Sequence, residues 1–353
     1  MAYTDIDKPS DYFRTKLYTG NGTNDTAITW DETDTNMQPN WLWIKNRSEG
    51  DQSYALFDSV RGATKRLSSN ESGAEGTEAT NLDSFDTNGF TVDNEVIVNG
   101  SSDLMVAWGW KAGTSFTNDA SSTGIGNIDS TGSVNTDAGF SVISYTGDAN
   151  ADNTVAHGLG SVPKMIILKN RSISSNWMVY HVSTGAQAPL FLNLTNAAGS
   201  GDPDRFKVVP TSSVFTPGSA QEGNGSGNSI IAYCFAEKQG YSKFGSYTGN
   251  GNADGTFVYT GFKPAMVIVK LSSGSNNWNI HDNKRDTFNV VDRKLEPNVT
   301  DAESEDSPKD FLSNGFKCRG TGGNLNASGS TYIYMAFAKQ PFVSSSGVPA
   351  TAR

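Results

Sequence analysis

Hydrophobic positions along this chain come in short runs set between polar, glycine-rich stretches. The most marked runs are led by a proline and closed by a lysine: Pro39-Asn-Trp-Leu-Trp-Ile-Lys45, Pro163-Lys-Met-Ile-Ile-Leu-Lys169 and Pro264-Ala-Met-Val-Ile-Val-Lys270. Each is too short for a typical helix and rich in Val, Ile, Met or Trp, a pattern that predicts a central strand buried on both faces. The leading proline sits where a strand begins without losing a ladder bond. A second set of runs, typified by Asp103–Trp110, predicts another central strand. Shorter candidates are Tyr54–Phe57, Gly89–Val92, Trp177–Tyr180 and Gly315–Cys318, with hairpin-type turns at Asn88-Gly89 and Asn314-Gly315. No stretch has the 3.6-residue periodicity and caps of an amphipathic helix.

The runs repeat. Leu17-Tyr-Thr-Gly-Asn-Gly22, Ser144-Tyr-Thr-Gly-Asp148 and Ser246-Tyr-Thr-Gly-Asn-Gly251 open three units, and Ala107–Trp110, Ala232–Phe235 and Tyr334–Phe337 close them. Pro39 to Pro163 spans 124 positions and Pro163 to Pro264 spans 101; Trp110 to Phe235 spans 125 and Phe235 to Phe337 spans 102. Separated anchors that keep one offset mark internal repeats. The expected class is all-β: three tandem β-sandwich, jelly-roll-like domains of one type, with roughly six to eight strands each. Their expected bounds are 1–113, 138–240 and 241–342. Residues 114–137, rich in Gly, Ser, Thr and Asn, are expected to form a flexible linker, and 343–353 an extended C-terminal arm.

Composition narrows the function. Of 353 residues, 36% are hydrophobic and 18% charged, with 37 glycines; aromatics at 10% still supply a core. The net charge of −10 argues against nucleic-acid binding, which needs clustered Lys and Arg. No signal peptide and no membrane-inserting run is expected. With two cysteines, Cys234 and Cys318, no disulfide framework is expected; both read as small buried hydrophobes.

Candidate chemistry is sparse. His157, His181 and His281 have no partner spacing, and no HExxH, GxSxG or paired Cys/His motif occurs. Asn250, Asn252 and Asp254 have the alternate oxygens of a calcium loop, but the twelfth position is Gly261 in place of Glu, so a plain turn is the preferred reading. Trp177 and Trp278 match across repeats after Ser/Asn-rich turns; core packing is preferred for them, with glycan stacking as the functional alternative. A glycosidase needs two facing carboxylates, which Asp58, Asp282 and Asp286 are the first candidates to supply. No cofactor and no catalytic residue is assigned.

Several segments resemble repeated-domain proteins of marine tailed bacteriophages. They are Pro9–Gly22, Gln38–Lys45, Phe57-Asp-Ser-Val-Arg-Gly62, Phe85–Phe90, Val106–Lys111 and the ending Pro341–Arg353. The Asp-Ser-Val-Arg-Gly element is absent from repeat two, where His181-Val-Ser-Thr stands, and reads as decayed in repeat three, at His281-Asp-Asn-Lys-Arg285. The resemblance implies a non-enzymatic virion structural protein of tail or fibre type, made in the host bacterial cytoplasm. It would assemble with other virion proteins, form a homo-oligomer with a trimer favoured, and contact a host-surface glycan. A capsid-surface decoration or head-fibre protein, a lectin-like receptor module and a polysaccharide depolymerase are the alternatives.

Overall fold

In a computed structural model that describes residues 4 and 6–350, each proline-led run folds as a strand buried along almost its whole length. These inner strands are Trp41–Asn46, Pro163–Asn170 and Phe262–Leu271. Antiparallel to them run the closing strands Leu104–Trp110, Ser229–Ala236 and Thr331–Pro341. The opening strands Phe13–Thr19, Phe140–Thr146 and Ser242–Thr248 pair with the far side of the closing strands. Edge strands Ala55–Asp58, Met178–His181 and Trp278–Asp282 pair with the far side of the inner strands, and in repeat two the two-residue strand Leu190–Phe191 adds beyond its edge strand. One order, opening–closing–inner–edge, thus recurs in all three repeats. Register breaks fall at Pro163/Met165 and around Pro264, where proline has no N–H to give the ladder.

A smaller sheet lies outside each four-stranded core. In repeat one it is Thr26–Thr29, Gly89–Val92 and Leu82–Asp86; in repeat three it is Phe257–Tyr259, Gly315–Cys318, Ser304–Leu312 and Val291–Lys294. In repeat two it shrinks to Val155–Ala156 and Val214–Phe215. The described helices are single turns of three or four residues. The chain is an all-β sandwich protein.

Alternation along the inner and closing strands divides their apolar side chains between two cores. Leu42, Ile44 and Ala107 pack with Ile28 and Phe90 inside repeat one; Ile166, Leu168 and Cys234 do so inside repeat two, and Val267, Val269 and Ala336 inside repeat three. The residues between them point the other way and converge. Trp41, Trp43, Trp108 and Trp110 meet Met165, Ile167, Tyr233 and Phe235, and both groups meet Met266, Ile268, Met335 and Phe337 in a single cluster. Ring contacts cross all three seams: Trp41 stacks on Tyr233 at 4.5 Å, Phe13 on Phe337 at 5.1 Å, and Phe235 meets Phe337 edge-on at 6.0 Å. The continuous apolar runs therefore reflect burial against two cores at once.

The repeats pack against one another, because one face of each four-stranded sheet is covered by the neighbouring repeats. This arrangement corrects two expectations. Residues 114–137 are not a flexible linker: Thr114–Asn118 and Ser130–Asn135 form strands that extend the sheet of repeat two beyond its opening strand. A short helix at Ala120–Thr123 joins them, capped where Asp119 accepts from Ser122 N, with Gly124 in the left-handed region. Lastly, residues 343–350 are not an extended arm. They turn back as a small hairpin, with Val343 bridged to Pro349, and Ser345 N donates to Asp7 at 2.6 Å. The last three residues of the expected arm lie outside the described residues.

Candidate functional site: the seams between repeats

Around the shared core the repeats meet head to tail, and the same bonds recur at each seam. The lysine that closes each inner strand is fully buried and reaches a carbonyl of another repeat. Lys169 Nζ of repeat two donates to Ser72 O of repeat one at 3.0 Å, Lys270 of repeat three to Thr195 O of repeat two at 3.0 Å, and Lys45 of repeat one to Thr300 O of repeat three at 2.7 Å. Burial pushes all three amines down to about 8. Three residues beyond each accepting carbonyl, a backbone N–H crosses the same seam: Glu75 to Arg171 O, Ala198 to Ser272 O and Glu303 to Arg47 O, at 2.9 to 3.0 Å. The contacts run two-to-one, three-to-two and one-to-three, so the ring closes with pseudo-threefold symmetry.

Side-chain chemistry splits the seams into two kinds. At the one–two seam, Asp58 pairs with Arg61 and accepts the Tyr233 hydroxyl at 2.7 Å. Arg61 also meets Glu75 at 3.2 Å, and Glu75 takes a two-pronged bond from Arg171 at 2.8 and 2.9 Å. At the three–one seam, Asp282 pairs with Arg285 at 2.6 Å and accepts Trp108 Nε1 at 3.1 Å. Arg285 meets Glu303 at 3.1 Å, which binds Arg47 at 2.9 and 2.6 Å. Burial raises the Glu75 and Glu303 carboxyls, but the arginine bonds outweigh it and hold both below the ordinary range. The Asp–Arg element of repeat three has therefore not decayed: Asp282 lies opposite Met266 in the register where Asp58 lies opposite Trp41, and Arg285 follows it at the spacing of Arg61.

The two–three seam has none of these charges. His181, Thr184, Ala198 and Ser272 stand where the other seams have Asp, Arg, Glu and Arg, and Met335 replaces the Tyr233 or Trp108 donor. His181 fills the Asp role as a neutral ring. Its Nδ1 accepts from Ser183 N at 3.1 Å, which leaves Nε2–H to donate to Tyr334 O of repeat three at 3.1 Å. Burial lowers its pKa to about 4.

The residues singled out in the sequence are absorbed into this scaffold. Trp177 and Trp278 are buried and offer no face to a sugar; their Nε1 groups cross seams to Ser68 O at 2.9 Å and Phe191 O at 3.0 Å. The oxygens of the calcium-like loop are taken by protein donors. Asn250 Oδ1 accepts from Asn252 N and from the buried Asn326 amide, Asn252 Oδ1 accepts from Asp254 N, and Asp254 pairs with Lys317 and Arg319. Asn224 and Asn99 play the part of Asn326 in the other repeats, holding Asp148 and Asn21. Among the described residues no group of three or more His, Cys, Asp or Glu converges on a metal-sized position.

Asp58 and Asp282 lie in different seams, each held by an arginine, and do not face one another. Asp286 accepts from Asp292 N and Arg293 N at 2.9 and 2.7 Å, and burial raises its carboxyl. His157 and His281 are buried; their Nε2 atoms lie 3.1 Å from Thr211 O and 3.2 Å from Asp306 O. Cys234 and Cys318 are buried free thiols. No described helix is long and apolar enough to cross a membrane.

Sequence reading missed Glu75, Glu303 and Arg171 as seam residues. A signal for part of this was present: the continuation Asn-Arg-Ser after the inner run is identical at Asn46–Ser48 and Asn170–Ser172, and Arg47 and Arg171 each bind a seam glutamate.

A family model described as "Domain of unknown function (DUF7483)" matches residues 8–341. The chain belongs to the DUF7483 family. That single match spans all three repeats and the linking strands between them, as the shared core requires of a DUF7483 chain. No curated protein and no solved structure matches it.

Proposed function

We propose that this chain is a structural component of a bacteriophage virion, of tail or fibre type, which acts by assembling with other virion proteins and by touching the host surface, without catalysis. The observation that carries this reading is the closed ring of three look-alike sheets on one aromatic core. It is a block with internal pseudo-threefold symmetry, which suits an assembly with the trimeric symmetry common in fibres. The sequence resemblance to marine phage proteins, spread over nearly the whole chain, gives the reading its biological setting. A homotrimer, if formed, would meet through the outer sheets, because the seam surfaces are already occupied within each chain.

The internal pseudo-threefold also favours a second reading, a decoration or head fibre at a threefold position of the capsid, which one chain would fill as a monomer. Mass spectrometry of gradient-purified virions and cryo-EM of the particle test both. The expected result is this chain in stoichiometric amount, with density at the tail or on the head surface. Its absence from particles, with presence in infected-cell lysate, would overturn the virion reading.

A further inference from the structure

The sheet of repeat two runs to seven strands and ends on Thr114–Asn118, which pairs with Ser130–Asn135 on one side and with no described strand on the other. A free edge offers a row of backbone N–H and C=O groups to any extended chain, and proteins blunt it with charges, prolines, bulges or brevity. The other edge strands of five residues or more carry charges: Arg14 and Lys16 on Phe13–Thr19, Lys243 on Ser242–Thr248, Asp282 on Trp278–Asp282, and Asp83 and Asp86 on Leu82–Asp86. Thr114–Asn118, which reads Thr-Ser-Phe-Thr-Asn, has no charge, no proline and no register break. Its Thr114, Ser115 and Thr117 are exposed.

This strand is complementary to itself. Two antiparallel copies of one edge meet about a two-fold axis perpendicular to the sheet, which keeps each face on its own side. Residues placed opposite one another must therefore be both odd or both even in number. Phe116 packs toward the core of repeat two, so Ser115 and Thr117 face away from it. Of the registers allowed, the one centred on Phe116 pairs all five residues: Thr114 with Asn118, Ser115 with Thr117, and Phe116 with its own copy. These are polar and aromatic pairs with no like charges opposed. Beyond the strand ends the same register brings Asp119 of one copy to Gly113 of the other. Asp119 is exposed and still extended, at φ −84° and ψ 105°. Lys111 lies along Gly113, its Cε 3.9 Å and its Cγ 4.0 Å from where a Cβ would stand, and it has no ion pair among the described residues. A chain of net charge −10 resists its own copy; an uncharged strand flanked by two Lys111–Asp119 pairs offsets that resistance locally.

From this self-complementarity we propose that Thr114–Asn118 pairs antiparallel with the same strand of a second copy of the chain, in the register centred on Phe116. Two seven-stranded sheets then become one of fourteen. The contact is isologous and lies outside the three seams, so it leaves the ring of repeats intact. Five residue pairs and two surface ion pairs make a small interface, with a dissociation constant expected in the micromolar range. Such pairing goes beyond the virion reading and does not depend on it.

Sedimentation equilibrium of the full chain, from about 1 µM to about 500 µM, together with oxidation of cysteine variants, tests the pairing. The native chain is expected to pass from monomer to dimer over that range. Thr117→Lys, which sets a lysine from each copy on the joined edge, and Lys111→Glu, which opposes Asp119 of the second copy, are each expected to weaken the dimer at least about tenfold without lowering the melting temperature. Because Ser115 faces Thr117, an equimolar mixture of Ser115→Cys and Thr117→Cys chains should form the mixed disulfide in preference to either symmetric one. The native Cys234 and Cys318 are buried and stay out of that reaction. The cysteine variants change exposed positions only, and they carry the test if a charged variant does not fold. A chain monomeric throughout, a dimer that both charged variants leave unchanged, or mixed and symmetric disulfides in statistical proportion would overturn the proposal. Protection of this strand from hydrogen exchange only in assembled particles, with the isolated chain monomeric, would give the edge to another protein and overturn it as well.

Discussion

Tyr233 and Asp58 lie 175 positions apart in the chain, yet the tyrosine hydroxyl donates to the aspartate carboxylate at 2.7 Å. The bond is buried and sits beside the Arg61 ion pair. Removing the carboxylate would leave the buried Arg61 with two backbone carbonyls and a tyrosine hydroxyl and, as counter-charge among the described residues, Glu75. Asp58→Ala is therefore expected to cost about 3–5 kcal/mol, and Tyr233→Phe, which deletes one donor, about 1–3 kcal/mol. Urea denaturation checks both. A double-mutant cycle between them should show coupling, since both changes act on one bond.

Trp41 touches Trp43, Trp110, Phe140, Tyr233 and Phe235, which belong to two repeats. Trp41→Ala is expected to cost about 3–5 kcal/mol. Hydrogen exchange should show lost protection in the inner strands of repeats two and three as well as of repeat one. Loss confined to Trp41–Asn46 would mean that the repeats are energetically separate.

Acid should destabilise the protein well above the carboxylate range. His157 and His181 are held neutral by burial, with pKa values lowered to about 4 from 6.5, and His281 is lowered further in the same direction. The unfolded chain takes up these protons first. The stabilisation is full above pH 6.5 and is lost as pH falls through 4, at about 3 kcal/mol for each of His157 and His181. Denaturation midpoints between pH 7 and 4 should fall, and His181→Gln should flatten the fall. An unchanged slope in that variant would contradict the assignment.

Alkali should act the opposite way over a limited window. Lys45, Lys169 and Lys270 are lowered to about 8, so below pH 8 the native state bears the full cost of burying three charges. Buried Lys309, lowered to about 7, adds to them, so stability is expected to rise from pH 8 toward 9.5, with the rise reduced by about one quarter in Lys169→Met. Chemical denaturation at pH 7.5, 8.5 and 9.5 measures this.

The repeat pattern, the all-β class and the buried strands were legible because two-sided burial leaves uninterrupted apolar runs such as Met266–Val269. The shared core was not, since the same run is equally consistent with a strand buried inside an isolated sandwich. Only the partners of Trp41 and Trp110 distinguish the two. The strands Thr114–Asn118 and Ser130–Asn135 escaped notice because they form the outer end of the sheet, the first as its edge strand and the second just inside it, where Ser, Thr and Gly suffice and no apolar alternation is needed. The seams were hidden for another reason. Glu75 and Glu303 stand in polar loops that read as solvated, and their meaning appears only when Arg171 and Arg47 arrive from another repeat. Trp177 and Trp278 were correctly matched with each other, but their burial depends on the loops that begin at Ser68 and Phe191, which no local pattern announces.

Differential scanning calorimetry of the full chain tests most directly whether the three repeats form one cooperative body. One shared core predicts a single transition whose calorimetric and van't Hoff enthalpies agree, and its collapse as a whole in Trp41→Ala. Two or three resolved transitions, or a calorimetric enthalpy several times the van't Hoff value, would show independently folding beads and contradict the account.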